Sequence, residues 1–101
     1  MALNKLELSD LLAVYGNMLT DKQREALAMY CDCDCSLAEI SEEVGISRQG
    51  VRDAIMNGER MLVKLDEALH FVDFYHQVLS GLQQDDMSII SAAVAGFVSK
   101  E

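Results

Sequence analysis

The sequence contains no proline, and only six of its 101 residues are glycine. Proline breaks the interior of a helix and glycine weakens it, so their scarcity favours long uninterrupted helices. A β-sheet would need turn clusters of glycine, proline and asparagine, and such clusters are missing. The expected fold class is therefore all-α.

The sequence also lacks the marks of export or membrane insertion. A membrane span needs about 18 or more consecutive apolar residues, and no such run occurs. Residues 1–10 have neither the basic start nor the apolar stretch of a signal peptide. The three cysteines, Cys31, Cys33 and Cys35, form an odd set that needs no disulfide scheme in a reducing compartment. We therefore expect a cytoplasmic protein without membrane insertion.

Basic residues are few, with eight Lys and Arg against 17 Asp and Glu and a net charge of -9. Residues 1–46 carry three basic residues against nine acidic ones, and residues 65–101 carry one against six. Residues 47–64 differ, because they carry four basic residues against two acidic ones. A basic segment within an acidic chain marks the part able to approach phosphates.

Half of the residues are hydrophobic, which is enough for a core, and the length suits one domain. We expect a single domain over residues 1–101. Its helix-turn-helix core would cover about residues 20–57, and a long helix and a C-terminal helix would cover about 58–100.

Local signals predict five helices. Leu8, Leu11, Leu12 and Tyr15 have helical spacing within residues 3–16, and the chain breaks at Gly16-Asn17. Thr20 with Gln23, and Ser36 with Glu39, have the spacing of capping boxes that start the second and third helices. Residues 31–35 lack a helical period and predict a loop. Asp85 would cap the last helix.

The fourth helix is expected to be the longest, from Ser47 to Leu79. Its seam positions alternate spacings of four and three, as in a coiled coil: Val51, Ile55, Gly58, Leu62, Leu65, Leu69, Val72, His76 and Leu79. Asn57-Gly58 is the weakest point, at which the helix would bend or break. The seam either completes a core within one chain or pairs two chains, and we favour a homodimer.

Residues 36–55 carry the main functional signal, a helix-turn-helix. Ser41 is the small residue where the two helices meet, and Gly45 suits the left-handed conformation that ends the first helix. Ser47 would cap the second helix. The branched residues that would lock the two helices together are Ile40, Val44, Ile46 and Val51.

The second of these helices begins with polar residues that suit contact with DNA. In DNA-binding proteins of this architecture, the first residues of that helix enter the major groove. Arg48 and Arg52 would contact guanine edges or phosphates, Gln49 would pair with adenine, and Ser47 would reach a phosphate. The alternative is a helical packing unit whose exposed start happens to be polar.

No metal, cofactor or catalytic site is predicted. The Cys-Asp-Cys-Asp-Cys segment lacks the paired spacing and the fourth ligand of a structural zinc site. His70 and His76 are expected on the helix surface or in the seam, because no Ser/His/Asp set, carboxylate pair or phosphate loop can be assembled. The sequence does not point to an enzyme.

The segment from Met18 to Ile55 resembles the YlxM family of helix-turn-helix proteins. The resemblance begins near Leu11, runs to about Tyr75, and is strongest in Leu19–Gln23, Ser36–Ile40 and Ser47–Gln49. The same segment is similar, more distantly, to the promoter-reading fourth region of bacterial sigma factors. Gly50 departs from the alanine that is usual in the family, and Arg52 departs from an aromatic residue.

This resemblance implies a bacterial cytosolic protein associated with the signal recognition particle, an association that rests on gene neighbourhood with the particle's GTPase and its receptor. We expect a regulatory helix-turn-helix protein that binds DNA or the particle's RNA. Two alternatives stay open: an acidic adaptor that docks on the GTPase without nucleic-acid contact, and an ordinary DNA-binding transcription regulator.

Overall fold

The computed structural model describes residues 3–98, and within them the chain forms six α-helices. These are α1 (Lys5–Tyr15), α2 (Asp21–Cys31), α3 (Leu37–Val44), α4 (Arg48–Leu69), α5 (Phe71–Gln83) and α6 (Met87–Val98), with a 3-10 turn at Gly16–Met18. The prediction of an all-α fold is confirmed. None of the helices in the described range is long and apolar enough to span a membrane.

The chain divides into two compact units, an N-terminal unit (Met1–Ala68) and a C-terminal unit (Leu69–Glu101). The prediction that residues 1–101 form a single domain stays a prediction.

Reciprocal side-chain capping begins each of the first three helices. In each case the cap side chain accepts the backbone N–H three residues on, and the side chain of that third residue accepts the backbone N–H of the cap. The three pairs are Asn4–Glu7, Thr20–Gln23 and Ser36–Glu39. The second and third pairs are those predicted, and the first is an addition. Each helix start is thus specified by residues within one turn.

The N-terminal unit has one apolar core to which its four helices contribute. Its fully buried side chains are Leu8, Ala26, Leu27, Ile40, Val51, Ile55 and Leu62. Two longer-range hydrogen bonds fix the N-terminal part of the unit to α4. Tyr15 donates its Oη hydrogen to Asp66 Oδ1 over 2.7 Å, and the Leu3 N–H donates to the buried Glu59 over 2.8 Å.

The loop after α2 lies against α1. Lys5 forms an ion pair with Asp34, which lowers the pKa of that carboxyl group, and the Ser9 hydroxyl donates to Asp32 Oδ1 over 2.6 Å. Lys5 Nζ also lies 4.7 Å from the centroid of the Tyr30 ring. The two aspartates of the cysteine-containing loop therefore fasten it to α1.

The predicted helix from Ser47 to Leu79 is wrong in its extent. α4 continues through Gly58 but ends at Leu69, and α5 begins at Phe71. Between them His70 has a φ of 56°, a left-handed conformation that interrupts the α-helix. Gly58 does not break the helix, because it is buried where α4 passes close to Leu27 of α2.

The C-terminal unit is an antiparallel helical hairpin of α5 and α6. Phe71 stacks on Phe97 at 5.2 Å between ring centroids at one end of the hairpin. Near the other end, Gly81 is buried so close to α6 that an added Cβ would lie 2.6 Å from Ile90. Ala93 is the most buried α6 side chain at 2% exposure.

The predicted cap of the last helix is displaced by one residue. Asp86, rather than Asp85, accepts the Ser88 N–H over 2.9 Å and the Ser88 hydroxyl over 2.6 Å. Asp85 instead has a φ of 51° and completes the turn between the two helices.

Candidate nucleic-acid interface

The turn between α3 and α4 has the backbone that a helix-turn-helix requires. Gly45 ends α3 with φ 78° and ψ 30°, a left-handed conformation that glycine adopts without steric cost. Its N–H donates to the Ser41 carbonyl over 3.0 Å, and the Ser41 hydroxyl donates to the Ile46 carbonyl. Ser41 therefore closes the turn with a hydrogen bond, in addition to being small.

The other residues expected to lock the motif divide by burial. Ile40 of α3 and Val51 of α4 are fully buried, whereas Val44 and Ile46 at the turn are half-buried. The start of α4 is thereby anchored through Val51, and the three residues before Gly50 project outward.

Lys22 of α2 contributes a contact to the turn that the sequence did not reveal. Its Nζ donates to the Val44 carbonyl over 3.0 Å, at the C-terminal end of α3. A cation stabilises this end of a helix, where backbone carbonyls are left without helical partners. Lys22 therefore places a positive charge beside the turn, but its ammonium group is already hydrogen-bonded to the Val44 carbonyl.

Ser47 caps α4 as predicted. Its Oγ accepts the Gly50 N–H over 3.0 Å, and the residue is exposed. The hydroxyl hydrogen is still available as a donor, since capping uses only a lone pair of the oxygen. Ser47 can therefore cap the helix and donate to a phosphate at the same time.

Arg48 and Arg52 are both exposed in the first turns of α4. They are four residues apart, so they lie on the same side of the helix. Neither guanidinium forms an ion pair with a carboxylate of residues 3–98. Two cations without carboxylate partners in that range thus project beside the turn.

Gln49 is exposed near the start of α4, and its amide has a hydrogen-bond partner within the protein. Gln49 Nε2 donates to Asp53 Oδ1 over 3.0 Å, one turn further along α4. The pair leaves the Gln49 carbonyl, one amide hydrogen and one Asp53 oxygen for other contacts. Asp53 was not among the predicted contact residues, although the spacing of four residues from Gln49 is visible in the sequence.

Two further cations lie along the outward face of α4. At about 100° per residue, Arg60 and Lys64 lie on the same side of α4 as Gln49 and Asp53, opposite the buried residues. Both are exposed, and Arg60 donates to Asn57 over 3.1 Å. Arg60 is about 12 Å along the helix axis from Arg52 at about 1.5 Å per residue. The exposed surface of α4 therefore carries spaced cations with one carboxylate between them.

A left-handed glycine turn, a capped second helix and a polar exposed start define a helix-turn-helix protein. The chain belongs to the UPF0122 family, whose model matches residues 3–91 and is described as "Putative helix-turn-helix protein, YlxM / p13 like". The match extends the resemblance noted for residues 11–75 in both directions. The description names a structural motif and no enzyme.

Curated relatives agree with this membership. A UPF0122 protein of Acetivibrio thermocellus is 37% identical over 97 residues, covering 89% of this chain and 83% of the relative. A UPF0122 protein of Mycoplasma capricolum is 43% identical over 65 residues, covering 64% of this chain and 58% of the relative. A UPF0122 protein of a Thermoanaerobacter species is 44% identical over 70 residues, covering 69% of this chain and 60% of the relative. The chain thus spans less than two thirds of the Mycoplasma and Thermoanaerobacter relatives.

Proposed function

We propose that this protein is a regulatory nucleic-acid-binding protein of the cytoplasm that acts through its helix-turn-helix in the signal recognition particle pathway. The observation that carries the proposal is the pair of exposed cations, Arg48 and Arg52, beside the turn. They would contact phosphates or guanine edges, and Ser47 would donate to a phosphate. The role is binding rather than catalysis.

The net charge of -9 does not by itself oppose this proposal. At physiological ionic strength, exposed charges separated by more than about 8 Å are largely screened from each other. The local sign near the turn therefore weighs more than the total charge. Residues 47–64 have an excess of two positive charges, and both cations of the first turns of α4 are exposed.

The Gln49–Asp53 pair adds a constraint on which bases would be accepted. A carboxylate in the major groove accepts a hydrogen bond from the cytosine N4 amino group and repels phosphates. Asp53 would thus favour a cytosine beside the bases that face Arg48 and Arg52. Gln49 would act together with Asp53 rather than alone on adenine.

The test is a fluorescence-anisotropy titration with the signal recognition particle RNA and with random duplex DNA, at two salt concentrations. Changing both Arg48 and Arg52 to Ala should weaken binding and reduce the salt dependence. Each lost phosphate contact lowers the slope of log affinity against log salt by about 0.9 on B-DNA or about 0.7 on single strands. Unchanged affinity in this double variant would refute the proposed mechanism.

A matched control removes the same charge elsewhere. Lys5 of α1 and Arg24 of α2 each pair with an aspartate, and the double variant Lys5→Gln, Arg24→Gln has the same net charge as the test variant. Its affinity should stay near that of the unmodified protein. Equal losses in both variants would mean that total charge, and not the helix-turn-helix, governs binding.

The preferred ligand separates the pathway accessory from an ordinary transcription regulator. Preference for the particle's RNA favours the accessory, toward which the family resemblance points. Preference for a duplex sequence with two half-sites about one helical turn apart favours the transcription regulator.

A second candidate function is an acidic adaptor that docks on the particle's GTPase. The observations that favour it are the net charge of -9 and the Asp53 carboxylate on α4, because complementary potentials speed protein association. Gel filtration of the mixture at low salt should then show co-migration that is lost at high salt and is insensitive to Arg48→Ala with Arg52→Ala. Separate elution at low salt would eliminate the adaptor.

We also propose that the protein forms a homodimer, but through a surface other than the predicted seam. Val51, Ile55, Gly58 and Leu62 of the predicted seam are buried in the N-terminal unit. Pairing two chains through them would require that unit to open. A dimer would instead use apolar residues that the folded chain leaves exposed, and it would carry two helix-turn-helix motifs.

A further inference from the structure

The hairpin of α5 and α6 leaves a large share of its apolar side chains uncovered. On α5 these side chains are Phe71, Tyr75, Leu79 and Leu82. On α6 they are Met87, Val94 and Val98. Their exposed fractions range from 38% for Phe71 and Leu79 to 69% for Met87. Single exposed apolar residues are normal on a protein surface, but seven within one short hairpin need an explanation.

The two sets lie on one face of the hairpin, by helical geometry. Successive residues of a helix are about 100° apart around its axis, so each set forms a stripe along its helix. On both helices the stripe is roughly a quarter-turn around the axis from the side that packs against the partner helix. That facing side includes Gly81 on α5 and Ala93 on α6. Because the helices are antiparallel, the two quarter-turns appear in opposite senses when the hairpin is viewed from one end. Both stripes therefore lie on the same face of the hairpin. We call these seven residues the hairpin stripe.

We infer that the hairpin stripe is the surface through which two copies of this chain associate. The inference makes specific the dimer proposed above, and it does not depend on nucleic-acid binding.

The amount of exposed apolar surface agrees with a dimer interface. Seven side chains, about half exposed, provide on the order of 600 Å², since aromatic side chains have roughly 150–250 Å² each and the five aliphatic ones lie near the lower end of that range. A standard interface buries about 800 Å² per partner, and about 65% of a homodimer interface is apolar. The stripe thus supplies the apolar part of one such interface. It lies at the upper end of the largest patches, about 300–600 Å², that monomers expose, and patches of that size often have a function.

The charge of the hairpin favours a second copy over nucleic acid or an anionic membrane. Residues 69–98 contain no Lys or Arg, and their acids are Asp73, Asp85 and Asp86. Nucleic acids and anionic membranes are recognised through basic residues, so neither suits this surface. No charged residue belongs to the stripe itself. Two copies can therefore meet face to face without bringing like charges into the apolar contact.

Sedimentation velocity of the full chain tests the inference without any nucleic acid. Between roughly 1 and 100 μM, where interfaces of moderate affinity saturate, the unmodified protein should shift to twice its 11.2 kDa mass. Val94→Glu puts a carboxylate in the centre of the stripe and should keep the protein monomeric. Ala92→Glu is the matched control, because Ala92 is exposed on the opposite side of α6, and this variant should still dimerise.

Circular dichroism of both variants checks that the hairpin folds. If Val94→Glu loses helix, Leu82→Glu replaces it, because Leu82 is 64% exposed and needs no packing to accept a charge. A monomeric unmodified protein over the whole range would overturn the inference and assign the stripe to another occupant. A dimer that survives both stripe variants would overturn it as well. Either result leaves the anisotropy test of Arg48 and Arg52 unaffected.

Discussion

Replacing Gly58 by alanine sets two physical effects against each other. Alanine is favoured over glycine in a helix interior by about 1 kcal/mol. An added Cβ, however, would lie 2.6 Å from Leu27 Cδ1, well inside the about 3.5–4.0 Å at which carbon atoms attract. Leu27 is fully buried, so its side chain has no solvent into which it can move. Overpacking of this kind costs about 1–3 kcal/mol.

The overpacking cost should exceed the gain in helix propensity. We expect Gly58→Ala to lower the free energy of unfolding by about 1 kcal/mol, which corresponds to a fall in Tm of about 4–8 °C for a unit of this size. Thermal unfolding followed by circular dichroism at 222 nm measures it. Gly96→Ala is the control, because an added Cβ at Gly96 would have no atom of residues 3–98 within 4 Å beyond its chain neighbours and its own helix backbone, so this variant should gain stability.

A double-mutant cycle identifies the cause. Leu27→Val removes the Cδ atoms that the new methyl group would strike, so Gly58→Ala should be much less harmful in that background. The coupling free energy should be in the range of about 0.5–3 kcal/mol that contacting residues show. If Gly58→Ala stabilises the unmodified protein as Gly96→Ala does, α4 does not approach α2 as closely as described.

Two other predictions concern titratable groups. The Ser36 N–H and hydroxyl lower the pKa of Glu39 below its ordinary value of 4.5, so the stabilisation is present above that value and is lost as the pH falls through the lowered pKa. Glu39→Gln keeps the hydrogen-bond acceptor and removes the charge. In chemical denaturation between roughly pH 3 and 6, this variant should lose less stability on acidification than the unmodified protein. The same pH profile in both proteins would contradict this prediction. Burial raises the pKa of the Cys31 thiol to about 11, and its neighbour Asp32 adds to the rise, whereas Cys33 is exposed. Alkylation at about pH 8 should therefore modify Cys33 first and Cys31 last, because the thiolate is the reactive form. Mass spectrometry gives the order, and the reverse order would refute the partial burial of Cys31.

The helix starts were predictable because their signals are local. Thr20 with Gln23, Ser36 with Glu39, and the glycine turn at Gly45 each depend on residues a few positions apart. Such contacts can be recognised without knowing how distant parts of the chain pack. The helix-turn-helix could therefore be found from the sequence.

The extent of α4 could not be predicted in the same way. The apolar spacing continues across His70 without interruption, and histidine gives no strong signal for a left-handed conformation. Gly58 was expected to weaken the helix, but its role depends on Leu27, 31 positions earlier in the chain. Both features are set by packing between distant segments, which periodicity does not report.

The candidate site was predicted in its positions but not in all its contacts. Arg48 and Arg52 are exposed, as their place at the helix start suggested. The Lys22 contact with the Val44 carbonyl is non-local and had no signal in the sequence. The Gln49–Asp53 hydrogen bond has the spacing of a helical pair and could have been found from it.

The reciprocal caps have a consequence for how this fold can vary in length. Because four consecutive residues define where α1, α2 and α3 each begin, the segments between them need not have a fixed length to keep those boundaries. Residues added or removed between Cys31 and Ser36 would alter the path of the chain and leave the first residue of α3 unchanged. The spacing between α3 and α4 is different, because Gly45 and the Ser41 contact with Ile46 allow one turn length. Relatives should therefore tolerate insertions before the helix-turn-helix and resist them within it.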